Sequence, residues 1–263
     1  MKNKIENIVK GRPVFILSHG RSIQDLESYI EKFNQDICYI SFSTFPIMEE
    51  FILSKINKKL DIVFDCATVP HARIEHYEIH TRFPRIEEFL KRKENNIWIT
   101  THGLIRDSVE PLRPDIYDNF KEKIVLVDNL FPPDEIPKWM DVPNSLTLII
   151  ACALAGGASK IIIFGLDGYS GDISKGVDSY YKKETVIKER QSALGSYIDA
   201  GINRDTKGFE NRFPKILEQY RMLFGNNCEI LNCSPSSYYT VLPKIKYSEL
   251  EEVLNDAKSS NNK

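Results

Sequence analysis

An α/β fold, a mostly parallel sheet with helices on both faces and one long lid insertion, is predicted by three features of this sequence. Short apolar runs recur along the chain at intervals, each rich in β-branched or aromatic residues. The intervals are filled by stretches with helical spacing of apolar positions. Polar residues and glycines cluster directly after the runs, where a parallel sheet keeps its ligand crevice. Strands that alternate with helices imply crossover connections and a parallel order.

The first strand is Val14–Leu17, apolar enough to be covered on both faces. Ser18-His-Gly-Arg-Ser22 breaks it, and Asp25–Phe33 resumes with helical spacing. A strand, a tight turn and a helix start bring free backbone N–H groups and the positive end of a helix to one spot, which suits an anion. Arg21 adds bidentate donors, and Ser22 either caps the helix or contacts a phosphate oxygen. The competing reading is an ordinary strand–loop–helix joint. Further strands are predicted at Ile37–Ile40, Ile62–Phe64, Ile97–Thr100, Ile124–Val127, Lys160–Phe164 and Glu229–Leu231. Helical spacing marks Pro46–Lys55, Arg73–Arg92, Ser145–Ala155 and Glu210–Phe224. The helix at Ser145 is built of small and apolar residues with no polar face, so it must be buried. Asn144 or Ser145 can cap it, and an amide or hydroxyl there equally suits the ribose or phosphate of a nucleotide.

Tyr169–Gly208 breaks the rhythm, being polar, glycine-punctuated and tyrosine-bearing. A connection of this length is either a lid over a site or a peripheral insert. No repeat is found, so residues 1–258 read as a single domain, with Ser259–Lys263 as a disordered tail.

Composition narrows the function classes. With 35 basic and 37 acidic residues in 263, the net charge of -2 gives no footprint for nucleic acid. No apolar run approaches a membrane span, and the first residues lack the apolar core of a signal peptide, so a cytoplasmic site is expected. The five cysteines include no Cys-x-x-Cys pair, which argues against a zinc site or a disulfide framework.

The residues after the strands form a polar set: Ser18-His19-Gly20, Ser41-Phe-Ser43-Thr44, Asp65, Thr101-His102-Gly103, Asp128-Asn129, Gly165-Leu-Asp167-Gly-Tyr169 and Asn232-Cys-Ser234 through Tyr238. Two strands end in the same hydroxyl-His-Gly tripeptide. Each histidine alone reads as a satisfied loop residue, but the whole set reads as a polar substrate crevice. An imidazole in such a crevice titrates near working pH and can serve as a general base.

On these residues the chain resembles the motility-accessory-factor-like proteins (domain of unknown function 115) and the bacterial CMP-sialic-acid sialyltransferases. Ser18–Ser22 takes the place of their Gly-x-Gly-Pro-Ser-Leu turn. Pro143-Asn-Ser145 is similar to their Thr-Ser-Gly helix start, and Ile163–Asp172 to their Gly-Ile-Asp-Phe-Tyr-x-Gly-Asp block. Asn232–Ile245 resembles the closing Asn-x-Ser-Pro…Pro-Lys-Ile segment of the motility-factor branch.

The resemblance implies a Rossmann-like fold and a glycosyltransferase moving a nonulosonic acid from a CMP-type donor to a cell-surface glycan acceptor. It implies no cofactor for that reaction. The implied donor contacts are His19, Gly20, Arg21, Ser22, Ser41, Ser43, Asn144, Ser145, Gly165, Asp167, Tyr169, Tyr181, Ser234 and Tyr238. A homo-oligomer is an open expectation. Two departures shift roles. The first turn lacks the family's Gly-Pro-Ser, which passes the phosphate contact to Arg21. The stretch Gly201–Lys207 lacks the sialyltransferases' catalytic histidine, so either another residue is the base or the acceptor chemistry differs; His102, which follows a predicted strand, is the first candidate for the base and Asp205 the second. An archaeal relative is a hydroxymethylpterin diphosphokinase. The alternatives are therefore a diphosphokinase using Mg²⁺ on Asp65, Asp128 or Asp167, or a non-catalytic nucleotide- or glycan-binding protein.

Overall fold

The computed structural model describes residues 2–18, 20–33, 36–42, 46–65, 82–131, 145–167, 206–235 and 237–260. Seven strands form one parallel sheet: β1 Pro13–Leu17, β2 Cys38–Phe42, β3 Ile62–Phe64, β4 Ile97–Thr100, β5 Ile124–Leu126, β6 Lys160–Phe164 and β7 Glu229–Asn232. Every strand predicted from the apolar runs is present, with ends shifted by at most two residues. Their order across the sheet is β5-β4-β3-β2-β1-β6-β7. The chain thus starts in the interior, builds outward to β5, then returns to the other side of β1. That reversal between β1 and β6 is the topological switch point, where open α/β sheets bind ligands at the carboxyl ends of the strands.

Alternation along the strands divides the core in two. Phe15, Leu17, Tyr39, Val63, Trp98, Ile162 and Phe164 face one layer. That layer holds the 3-10 helix Arg21–Ser28, the helices Pro46–Phe51 (α2) and Phe83–Lys91 (α3), and the C-terminal helix. Val14, Ile16, Ile40, Phe64, Ile99, Ile161 and Ile163 face the other. There they meet Lys2–Val9 (α1), Ser145–Ala155 (α5) and Thr206–Phe224 (α6). With both faces covered, continuous apolar strands are the expected pattern. The buried helix predicted at Ser145–Ala155 is observed over that span, all of it buried after Ser145. Gly156 follows it because α1 crosses there: a Cβ would lie 2.7 Å from Ile5 Cγ2 and 2.8 Å from Val9 Cβ.

Three expectations are corrected. The helix expected over Asp25–Phe33 is a 3-10 helix that starts at Arg21, followed by a second 3-10 turn at Ile30–Lys32. The expected lid ends earlier than Gly208, because Thr206–Gly208 already belong to α6. Ser259 and Ser260, expected in a tail, belong to the last helix, α7, Leu250–Ser260, which buried Leu250 and Leu254 anchor; residues 261–263 lie outside the described residues. The helices α1, Pro114–Phe120 (α4) and α7 were not among those predicted. The rest of the lid segment lies outside the described residues. Among the described residues, no helix is long and apolar enough to cross a membrane.

Candidate functional site

At the switch point the turn after β1 and the turn after β6 are pressed together. Ser18 N–H donates to Phe164 O at 2.9 Å, and Gly20 N–H to Gly165 O at 2.8 Å. Both glycines are required. Gly165 sits at φ +69°, and a Cβ on Gly20 would collide with Gly165 O and lie 2.6 Å from Asp167 Oδ2. The Asp167 carboxylate is gripped by Ser22, whose N–H donates to Oδ2 at 2.9 Å and whose hydroxyl donates to Oδ1.

This arrangement revises two readings of the first turn. Ser22 is not the N-cap: Gly20 holds that position, with no side-chain cap bond. The negative group at this helix start is the protein's own Asp167, and Gly20 and Ser22 spend their N–H groups inside the protein. A carboxylate satisfies the same orphan donors and the same dipole that a phosphate would. The chain carries Arg21 within the 3-10 helix.

A second ring of bonds holds Asp167 from behind. Ser234 is fully buried and accepts from Leu166 N–H at 2.8 Å, while Ser237 donates to Leu166 O at 2.5 Å. Tyr238 N–H donates to Asp167 O at 2.7 Å, and its side chain is 57% exposed beside the crevice. Tyr247 is buried and donates from its hydroxyl to Ser22 O at 2.8 Å. Ser234 is thus a support of the β6 turn and not a surface that meets a donor. Ser41 is corrected likewise: it is fully buried and its hydroxyl donates to Leu17 O at 2.8 Å, tying β2 to β1.

Toward β5 the strand ends carry charge. Asp65, after β3, forms a buried ion pair with Arg82, Nε to Oδ2 at 2.5 Å, both side chains 4% exposed. Thr101 caps the turn after β4 by accepting from Leu104 N–H at 3.0 Å. His102 opens that turn with its side chain more than half exposed. Its backbone N–H donates to Asp128 Oδ2 at 2.7 Å, and its Nδ1 lies 3.4 Å from the same oxygen. A π-helical stretch, Ile105–Val109, follows.

The structure therefore brings together Gly20, Ser22, Gly165, Asp167 and Tyr238 at β1 and β6, and separately His102 and Asp128 at β4 and β5. Three strand spacings separate β4 from β1, roughly 14 Å at about 4.8 Å each. Ser145 begins α5, half-buried. His19, Ser43, Asn144, Tyr169, Tyr181 and Asp205 lie outside the described residues, as does the side chain of Arg21. Sequence reasoning missed Arg82 and Tyr247. Tyr247 reaches Ser22 across 225 positions, and no local pattern announces such a contact.

The Mg²⁺ alternative placed an ion on Asp65, Asp128 or Asp167. Each of these carboxylates has a partner in the protein. Among the described residues, no group of three His, Cys, Asp or Glu side chains is placed to hold a metal ion.

No family model matches this chain, and no curated protein matches it. Among solved structures it is similar to a MAf glycosyltransferase from Magnetospirillum magneticum AMB-1, with a TM-score of 0.46 and 14% identity. The match covers 98% of this chain and 41% of the other, so the chain spans about two fifths of that protein's length.

Proposed function

We propose that this chain is a glycosyltransferase that moves a nonulosonic acid or related sugar from a CMP-type donor to a glycan acceptor, in the cytoplasm. The observation that carries the reading is the switch point. The strand order reverses between β1 and β6, and Gly20, Gly165, Asp167 and Tyr238 meet there on hydrogen-bonded supports. The resemblance of Ser18–Ser22, Ile163–Asp172 and Asn232–Ile245 to the sugar-transferring families supports the same choice. In this reading the nucleotide lies across β1 and β6, and its sugar points along the strand ends toward β4.

The acceptor oxygen attacks the anomeric carbon and the bond from that carbon to the phosphate oxygen breaks. CMP leaves with the bonding electrons, and the acceptor hydroxyl's proton passes to a base. His102 is the base of this proposal and Asp205 its second choice. Arg21, with Lys182 or Lys183 and Tyr180 or Tyr181, would face the departing phosphate, where preorganised donors act on developing charge.

Thermal unfolding with CMP, CDP, UDP and ATP plus Mg²⁺ tests the reading. A ligand at 100 times its Kd stabilises the folded chain by about 2.7 kcal/mol, so a rise in Tm with CMP is expected. A rise with ATP and Mg²⁺ alone would favour the diphosphokinase, and no response to any nucleotide would sink the proposal. Arg21→Ala is expected to weaken CMP binding by at least ~1.5 kcal/mol, the lower range for a charge-assisted bond. Equal affinities by calorimetry would remove Arg21 from the site.

A further inference from the structure

We infer that Asp128 is a positioning residue for His102, holding the imidazole in the Nδ1–H tautomer so that Nε2 stands open as a proton acceptor. The catalytic part of this inference rests on the proposed role of His102 as base. The geometry is one hydrogen bond and one longer approach, both to the same oxygen. Asp128 Oδ2 accepts the His102 backbone N–H at 2.7 Å and faces Nδ1 at 3.4 Å.

An ionised carboxylate only accepts, so the ring nitrogen turned toward it is the one that carries hydrogen. In a neutral imidazole the other nitrogen then holds the lone pair. The backbone bond holds the Asp128 carboxylate against the start of the turn that carries His102. Asp128 is largely covered, with 20% of its side chain exposed, whereas His102 is 57% exposed. The anchor is therefore shielded while the imidazole is more than half open to solvent.

Two neighbours support this assignment. Thr101 Oγ1 accepts from Leu104 N–H at 3.0 Å, which locks the turn that carries His102. The π-helical turn Ile105–Val109 follows directly, a geometry that recurs at functional sites. Asp65, the acidic group after neighbouring β3, is engaged with Arg82. Arg106 and Asp107, on the π turn, pair with each other at 2.6 Å.

In the proposed reaction Nε2 takes the proton of the acceptor hydroxyl as that oxygen bonds to the anomeric carbon and CMP departs. His102 becomes an imidazolium beside Asp128, which stabilises the new charge. The proton is returned to solvent through Nε2, and the starting tautomer is restored.

The test begins without any substrate. Long-range ¹H–¹⁵N correlation spectra of ¹⁵N-histidine-labelled protein report the tautomer of each of the five histidines, and His102→Asn identifies the signal concerned. Under alkaline conditions that keep imidazoles neutral, His102 is expected as the Nδ1–H form. Asp128→Ala removes both the charge and the oxygen that faces Nδ1, and should shift His102 toward Nε2–H. A wild-type Nε2–H tautomer, or an unchanged tautomer in Asp128→Ala, would overturn the pairing.

The second arm is turnover of a CMP-activated nonulosonic acid with a glycan acceptor. Asp128→Asn should lower kcat about 10- to 100-fold, the usual loss for a partner that orients a working histidine, with donor KM unchanged. Asp128→Glu should restore part of the loss. An unchanged kcat would leave the pairing without a catalytic role. Wild-type turnover in His102→Asn would instead sink the base reading, a failure that the tautomer spectra keep separate.

Discussion

Gly20 shows how a single residue binds two parts of the sheet into one site. Its missing Cβ lets the β1 turn touch Gly165 O and the Asp167 carboxylate, with Gly20 N–H bonded to Gly165 O at 2.8 Å. Because one colliding atom is a backbone oxygen, Gly20→Ala forces the two turns apart. We expect a loss of about 1–3 kcal/mol, the range for overpacking a tight contact, measurable by urea unfolding. A variant as stable as the parent would mean that the turns separate without cost. Gly20 and Asp167 were both legible as strand-end residues, since each follows a strand. Their grip on one another was not, because Ser22 and Asp167 lie 145 positions apart. Ser41 and Ser234 misled for the same reason. A hydroxyl after a strand looks identical in sequence whether it faces solvent or a neighbouring turn.

Among the elements, α3 and α4 are joined by a surface cluster with a defined pH response. Arg113, the residue before α4, holds Glu87 of α3 at 2.7 Å and Asp115 of α4 at 2.7 Å, while Lys91 holds Glu87 at 2.5 Å. Hydrogen bonds from Lys91 and then Arg113 keep the Glu87 carboxyl below its ordinary range, and the Arg113 bond does the same for Asp115. A carboxyl lowered in the folded state stabilises it above the unfolded pKa and loses that contribution as pH falls through the folded value. Acidification below about pH 4, the ordinary carboxylate range, should therefore cost the parent more stability than Arg113→Ala. The difference should stay within about 1 kcal/mol, because these groups are solvent-screened. Identical acid profiles for the two proteins would refute the cluster's role. Helices with long apolar spacing, such as α5 and α6, were evident in the sequence. The 3-10 form of Arg21–Ser28 was not, because it starts where Asp167 captures Ser22 N–H.

At the scale of the whole molecule, the C-terminal segment closes the layer behind the first turn. Tyr247 stacks on Tyr29, with centroids 5.3 Å apart, and bonds to Ser22 O, while Leu250 and Leu254 are fully buried. Fully burying each such side chain contributes about 1.5–3 kcal/mol, and a domain's net stability is only about 5–15 kcal/mol. Truncation after Lys246 should therefore abolish cooperative unfolding by circular dichroism. A truncated chain with a sharp transition near the parent's would show that this layer closes without its last helix.

The sequence by itself determined the seven strands, the buried helix at Ser145–Ala155 and the polar character of the strand ends. Those follow from local apolar runs, spacing and turn residues, which act over a few positions. Only the tertiary structure decided that β1 lies between β2 and β6, that Asp167 occupies the first helix start, and that His102 meets Asp128. Strand order and carboxylate partners are settled by contacts between residues far apart in the chain, and these form only when the sheet closes.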